Sequence, residues 1–373
     1  MISIADLHEW TVPTAGNCCR SHWTALRRMT SMRSYLRIGR SGIAWAHAIP
    51  CVLWIDPASP VLAVCAASGW VTLFYLMSCK VNDLADIASD SANPQRSLSP
   101  LVSGAVSPLQ ATYWVLADLI ILVVALFIAP ITLQSQILAL AALVLTIYGN
   151  TFQKTSLRVH PLAMDLTYGL TMALLLAAAS GLFGSHMSPE RIAAIAGFGF
   201  VVSLLNLVAG NFKDFHADRN AGSRTTAHAL GCTVDDHGRI MLTRKFLFVA
   251  ATLQVASTAG IATSVMDPAT RTGWPMIVSV CTGIACAAGC CLFFGHIRNL
   301  RRYGMATGDI KRPKYAFYML FAVCSSSVLA TPLTLGLAGA GSVLFFYYIQ
   351  RLLRYDTNRS GLDDNSREPV LGT

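Results

Sequence analysis

Long apolar segments recur along this chain and limit the folds that it can adopt. Hydrophobic residues make up 54% of its 373 residues and charged residues only 13%, whereas soluble globular proteins carry about 25% charged residues. A helix needs about 20 apolar residues to cross a bilayer. The segments that approach or reach this length are 42–55 (short, unless it begins near Tyr35), 59–79, 110–128, 131–149, 162–183, 192–212, 245–265 and 275–295. The sequence therefore predicts an all-α polytopic membrane protein.

One further apolar stretch, 316–350, is too long for a single upright helix. Pro332 and the glycines that follow it (Gly336, Gly339 and Gly341) divide the stretch at its centre and favour two helices rather than one. Nine or ten transmembrane helices are therefore expected, and the sequence leaves the choice between them open.

The distribution of positive charge predicts the orientation in the membrane. If the N-terminus is cytoplasmic, the segments on that side hold 22 of the 28 lysines and arginines, and the outer loops hold only Arg191 and Arg271. Cytoplasmic loops carry an excess of these residues, so we expect a cytoplasmic N-terminus. Contact with anionic lipid headgroups accounts for the net charge of +9 without a nucleic acid partner.

Two acidic segments follow the second and the sixth predicted spans, on the same side of the membrane. We call "NDLADIASD" (82–90) the first acidic segment and "KDFHAD" (213–218) the second acidic segment. Their aspartates are spaced three or four residues apart, which places them on one face of a helix: Asp83, Asp86 and Asp90 in the first, Asp214 and Asp218 in the second. Continuing the four-residue step backward from Asp214 adds Gly210 and Asn206, a stripe of small and polar residues.

Five carboxylates at one membrane face repel one another unless a cation joins them. Oxygen ligands without His or Cys suit Mg²⁺, which retains water and shares phosphate oxygens. The sequence thus predicts two aspartate clusters that hold a diphosphate through Mg²⁺. Basic residues on the same face are expected to complete the cradle: Lys80, Arg96, Lys154, Arg158, Lys213, Arg219 and Arg224.

The two acidic segments resemble the signatures of the UbiA superfamily of intramembrane prenyltransferases. "NDLADIASDSANPQR" is similar to the first signature and "KDFHADRNAGSRTTAHALG" to the second. "YLRIGRSGIAW" resembles the family's entry into its first span, and "IYGNTFQKTSLRVHP" its loop between the fourth and fifth spans. The resemblance extends over about residues 35–350. It departs from the family pattern at Ser97, where proline is usual, and at Thr226–Ala227, where leucine and proline are usual.

The resemblance implies a UbiA-type helical bundle around a central chamber open to lipid, with Mg²⁺ as cofactor and an isoprenyl diphosphate as substrate. It assigns the metals to Asp83, Asp86, Asp214 and Asp218, with Asn82 and Asp90 in support. Arg96, Lys154, Arg158 and Lys213 are implied to neutralise the leaving diphosphate, and Tyr148 to lie near the carbon–oxygen bond that breaks. The chain then divides into a basic N-terminal extension (1–34), the transmembrane domain (35–350) and a polar tail (351–373).

An allylic cation formed in this way needs a dry pocket with electron-rich walls, and aromatic faces stabilise a cation by about 0.5–2 kcal/mol each. The candidates are Trp45, Trp70, Phe74, Tyr75, Tyr148, Phe198 and Phe200. Two carboxylates within predicted spans, Asp118 and Asp165, are functional candidates by their position, although Asp118 is equally explained by pairing with a neighbouring helix. His47 and His216 are weaker candidates for contact with an acceptor.

Three functions are compatible with these features. The first is transfer of a prenyl group to a small acceptor, such as an aromatic compound or quinone precursor. The second is a terpene cyclase reaction, in which the cation cyclises without an acceptor. The third, a transporter or lipid-binding protein, does not require carboxylates at helical spacing. The sequence favours the prenyltransferase and does not separate it from the cyclase.

Overall fold

A computed structural model describes Tyr35 and residues 61–91, 93, 96–97, 99–152, 159–181 and 187–263 of the chain. Its long helices are α1 (Val61–Ala85), α3 (Pro108–Ile128), α4 (Leu133–Phe152), α5 (Pro161–Ser180), α6 (Pro189–Leu205) and α10 (Arg244–Ala262). The short helices are α2 (Ile87–Ser91), α7 (Asn211–Lys213), α8 (Phe215–Asn220) and α9 (Thr226–Ala229). A π-helical turn, Asn206–Gly210, joins α6 to α7, and strands β1 (Thr233–Val234) and β2 (Ile240–Met241) form an antiparallel hairpin before α10.

Six helices of the described residues are long and apolar enough to cross a membrane. They correspond to six of the spans expected from the sequence, which confirms a multi-pass helical membrane protein. The expected spans at 42–55, 275–295 and 316–350 lie outside the described residues.

The long helices pack side by side in the order α3, α1, α4, α5, α6 and α10. Their facing sides form an apolar core that includes Met77, Leu122 and Leu176. The outer face of α3 remains apolar and exposed, as at Ile120 and Phe127, which is the pattern of a helix that faces lipid rather than water.

Glycines set the closest helix contacts. A Cβ atom at Gly169 of α5 would lie 2.2 Å from the backbone oxygen of Gly199 in α6, and one at Gly260 of α10 would lie 2.7 Å from the Cα atom of Gly197. Small residues let backbones approach in this way, and such packing drives helix association in lipid. Helix α6 is therefore held tightly on two sides, and α6 leads directly to the second acidic segment.

Three of the long helices begin with proline after a capping residue. Ser107 accepts a hydrogen bond from the backbone N–H of Gln110 before α3, and Ser188 accepts one from Arg191 before α6. Proline is favoured at the first helical position because its missing N–H would lack a partner there in any case. These signals fix the helix starts at Pro108, Pro161 and Pro189.

Candidate active site

The first acidic segment begins inside a transmembrane helix rather than after it. Helix α1 continues to Ala85, six residues beyond the apolar run, so that Asn82 and Asp83 lie on its last turn. The backbone N–H of Asp86 donates to Asn82 O (2.9 Å), and that of Asp90 donates to Asp86 O (2.8 Å). The expected helical spacing is therefore present, although a turn at Asp86 separates α1 from α2.

Side chains within the first acidic segment and just after it also interact. The amide nitrogen of Asn82 donates to a carboxylate oxygen of Asp86 at 3.2 Å. The guanidinium of Arg96 lies 3.7 Å from the carboxylate of Asp90, which is almost fully buried. Arg96 is thereby held beside the Asp90 carboxylate, where the sequence predicts a cationic group.

The second acidic segment starts at a break in the helix. Asp214 has φ −113° and ψ 12°, and it separates α7 from α8. The N–H of Asp218 donates to Asp214 O at 2.8 Å, which keeps the four-residue step. Phe212 and Phe215 are fully buried and pack in an apolar core with Phe246 of α10. This packing fixes the backbone that carries the two aspartates.

The two acidic segments meet at one end of the bundle. Helix α2, which carries Asp90, and helix α8, which carries Asp218, contact each other with Cα atoms within 8 Å. They are about 130 residues apart in sequence, so this contact is a product of the fold. Both aspartates are buried, and Asp83, Asp86 and Asp214 are carried on the adjoining turns.

The donor set at this contact suits Mg²⁺. Within the described residues, no group of three or more His, Cys, Asp and Glu side chains is close enough to hold a metal ion. Mg²⁺ is commonly bound by one or two carboxylates together with substrate phosphate oxygens and water. Carboxylates spread over two helices therefore fit an ion whose remaining ligands come from a diphosphate.

A buried polar network lies behind the second acidic segment. Asp165 of α5 accepts hydrogen bonds from the amide of Asn206 (2.8 Å) and from the amide of Asn211 (3.2 Å). The oxygen of the Asn211 amide accepts from the N–H of Ala227 at 3.2 Å. Asp165 and Asn206 were predicted from the sequence but Asn211 was not, because a regular four-residue step passes it by and the π-helical turn does not.

The network borders a small pocket beside Asp218. The pocket has room for about one water molecule, and its lining consists of Pro161, Asp165, Gly210, Asn211, Asp218, Arg224, Thr225 and Thr226. The hydroxyl of Thr226 is buried there, and among the described residues it has no hydrogen-bond partner. Asp165 and Asp218 thus line one polar space.

Lys80 and Asp118 form an ion pair across α1 and α3 instead of contributing to the site. The ammonium of Lys80 lies 2.5 Å from Asp118, and the exposed fractions of the two side chains are 0% and 4%. The hydroxyl of Tyr35 donates to the same carboxylate at 2.6 Å, and the ammonium lies 3.4 Å from the Tyr35 ring centroid. The expectation that Lys80 joins the basic cradle is therefore wrong, and Asp118 serves the helix pairing that was its alternative explanation.

The structure describes some of the remaining predicted site residues. Tyr148 lies near the end of α4 and packs against Phe152 with ring centroids 5.2 Å apart. Two residues further on, the Asn150 amide donates to Ser78 of α1 at 3.0 Å, which brings this end of α4 close to the start of the first acidic segment. Trp70 stacks on Phe74 at 5.6 Å and donates to Leu122 O. Lys154, Arg158, His47, Trp45 and the side chain of Lys213 lie outside the described residues.

The fold and this site define a polytopic helical membrane protein with two acidic segments brought together at one end of its bundle. Residues 43–304 match the UbiA prenyltransferase family. The chain belongs to the UbiA prenyltransferase family, as the resemblance of its signatures implied.

Solved structures share the fold. A UbiA homologue from Archaeoglobus fulgidus bound to GPP and Mg²⁺ is 17% identical, with a TM-score of 0.59 over 80% of this chain and 100% of that chain. The structure bound to DMAPP and Mg²⁺ is 17% identical, with a TM-score of 0.58 over 79% and 99%. An apo homologue from Aeropyrum pernix K1 is 18% identical, with a TM-score of 0.55 over 82% and 98%. No curated protein matches the chain.

Proposed function

We propose that this protein is a Mg²⁺-dependent intramembrane prenyltransferase that moves an isoprenyl group from its diphosphate to a small acceptor. The contact between α2 and α8 carries the proposal, because it brings together the helices that hold Asp90 of one signature and Asp218 of the other. Membership in the UbiA prenyltransferase family supports it. A homologue of the same fold binds GPP and Mg²⁺, which supports both the cofactor and the donor class.

The residue roles follow from chemistry and position. Asp83, Asp86, Asp90, Asp214 and Asp218 are the proposed metal ligands, and Asn82, Arg96, Lys154, Arg158 and Lys213 the proposed diphosphate contacts. Mg²⁺ supplies stabilisation of the negative charge that develops on the leaving diphosphate. Arg96, held at 3.7 Å from Asp90, would add positive charge on the same side, and charge stabilisation of this kind is usually the largest catalytic contribution.

The proposed reaction breaks the allylic carbon–oxygen bond, and its electron pair leaves with the diphosphate. The allylic cation then accepts an electron pair from a nucleophilic carbon or oxygen of the acceptor, which loses a proton to solvent. Tyr148, near the end of α4, is proposed to lie beside the breaking bond. The prenyl tail would lie among the helices while the diphosphate remains at the membrane surface, proposed to be the cytoplasmic one from the distribution of lysine and arginine.

Diphosphate release with and without an acceptor tests the proposal. Protein in lipid nanodiscs with Mg²⁺ and geranyl, farnesyl or geranylgeranyl diphosphate should release little diphosphate until an aromatic acceptor is added. A discrete cyclised hydrocarbon in the absence of acceptor would establish the alternative, a UbiA-type terpene cyclase. No Mg²⁺-dependent release from any donor, with or without acceptors, would refute both functions.

Substitutions separate the proposed ligands from acidic residues in general. Asp83→Ala and Asp214→Ala should abolish release while the protein still inserts and folds. Asp236→Ala removes an exposed carboxylate of the β-hairpin turn and is the matched control, with release expected to stay at the wild-type rate. Near-normal turnover by either ligand variant would contradict the metal assignment.

A further inference from the structure

We propose that Asp165 is a positioning residue that fixes the second acidic segment for metal and diphosphate binding, acting through Asn206 and Asn211. The inference rests on the proposed function and goes beyond it, because Asp165 belongs to neither acidic segment. It lies on α5, one turn into the helix and almost fully buried.

The hydrogen bonds from α5 reach Asn206 and Asn211, both before the second acidic segment, and Asn211 is in turn bonded to the chain after the segment. Asn211 precedes Asp214 by three residues, and its amide nitrogen donates to Asp165 at 3.2 Å. Its amide oxygen accepts from the N–H of Ala227, nine residues after Asp218, at 3.2 Å. Asn211 thus links the backbone before the segment, and helix α9 after it, to a single carboxylate on α5.

The π-helical turn places both asparagines on that carboxylate. The backbone N–H of Asn211 donates to Asn206 O, five residues back, so the two side chains lie together where a regular helix would separate them. A Cβ atom at Gly210 would lie 2.4 Å from the Asn206 amide oxygen; glycine there leaves room for the Asn206 side chain to reach Asp165. π-Helical turns are frequent at functional sites.

The chemistry of the three side chains requires a carboxylate at position 165. An ionised carboxylate only accepts hydrogen bonds, and it has two oxygens for the two amide groups that donate to it. An amide at position 165 would face one of these donors with its own NH₂ group. Leaving a buried donor without a partner costs about 1–3 kcal/mol, and the segment would shift to relieve it.

The required pattern also defines a compensating change. In the double variant Asp165→Asn with Asn211→Asp, the amide at 165 accepts from Asn206 and donates to the carboxylate at 211. That carboxylate still accepts from the N–H of Ala227. The exchange therefore restores the bonds that link α5 to the π-helical turn and to Ala227, and it loses only the bond from the Asn211 amide to Asn206 O at 3.1 Å.

The test measures Mn²⁺ binding by electron paramagnetic resonance in nanodiscs with inorganic diphosphate, so that binding is read without turnover. Asp165→Asn should weaken Mn²⁺ binding about 10–100-fold, the range seen when groups that orient metal ligands are changed. The double variant should bind Mn²⁺ more tightly than either single variant. Ser180→Ala, at the opposite end of α5 and equally buried, is the matched control and should bind Mn²⁺ as the wild type does.

Gly210→Ala provides a second test if Asp165→Asn does not fold, because it displaces the Asn206 amide and leaves every charge in place. It too should weaken Mn²⁺ binding. Wild-type affinity in folded Asp165→Asn or Gly210→Ala, or a double variant no better than its single variants, would overturn the positioning role. Wild-type protein that binds no Mn²⁺ with diphosphate would instead refute the proposed function, so the two failures are distinct.

Discussion

The buried ion pair between Lys80 and Asp118 makes the stability of this bundle depend on charge balance. Asp118→Asn keeps the shape of the side chain but removes the negative charge, which leaves the Lys80 ammonium, 0% exposed, without a counter-charge. Breaking a buried pair by removal of one partner costs about 3–5 kcal/mol. Such a loss shifts the unfolding equilibrium roughly a hundredfold or more, since 1.4 kcal/mol corresponds to about tenfold.

The double variant Lys80→Met with Asp118→Leu removes both charges and fills the space with apolar groups. Replacement of a whole buried pair in this way is often neutral or stabilising, so the double variant should be more stable than Asp118→Asn alone. Unfolding by SDS in mixed micelles, followed by far-UV circular dichroism, measures the difference. Ile120→Val, on the exposed face of α3, is the control and should keep the midpoint of the wild type. Equal midpoints for Asp118→Asn and wild type, or a double variant as unstable as the single, would refute the reasoning.

Three further predictions concern other parts of the molecule. Gly197→Ala should destabilise the bundle by about 1–3 kcal/mol, because its Cβ atom would lie 2.7 Å from the backbone nitrogen of Ile261; Gly69→Ala, where a Cβ atom meets nothing within 4 Å, should leave the SDS midpoint nearly unchanged. Arg96→Ala should raise the donor concentration needed for half-maximal diphosphate release, and Arg96→Lys should raise it less because the positive charge remains. An unchanged donor dependence in Arg96→Ala would argue against contact between Arg96 and the diphosphate. Burial raises the pKa of the Cys232 thiol, so iodoacetamide at pH 8 should leave Cys232 unmodified in the folded protein and alkylate it after unfolding, as read by peptide mass spectrometry; rapid labelling of the folded protein would contradict its burial.

Apolar runs and acidic spacing predicted much of this architecture because both are local properties of the sequence. A transmembrane helix needs only sufficient length and hydropathy, and each described span begins within three residues of its expected start. The helical spacing of Asp83, Asp86 and Asp90 was likewise readable, and the i to i+4 hydrogen bonds preserve it.

The pairing of polar side chains across helices was not predictable in the same way. Lys80 lies two residues before Asn82 and resembles a member of the basic cradle in sequence, yet its partner is Asp118, 38 residues away. Asn211 was not predicted because the π-helical turn changes the number of residues between side chains that share a face. Both contacts depend on how one helix is rotated relative to its neighbour. The residues near each position in the sequence do not determine that rotation.

The π-helical turn at Asn206–Gly210 also has a consequence for how this span tolerates insertions and deletions. A residue added to a regular helix rotates everything after it by about 100° around the helix axis. The π-helical turn therefore sets the direction of the aspartates relative to the lipid-facing residues on α6. The direction in which Asp214 and Asp218 point can therefore change while the apolar side of the span stays where it is. A deletion of one residue within 206–210 should leave the span apolar and still inserted in the membrane, while both carboxylates point in a different direction.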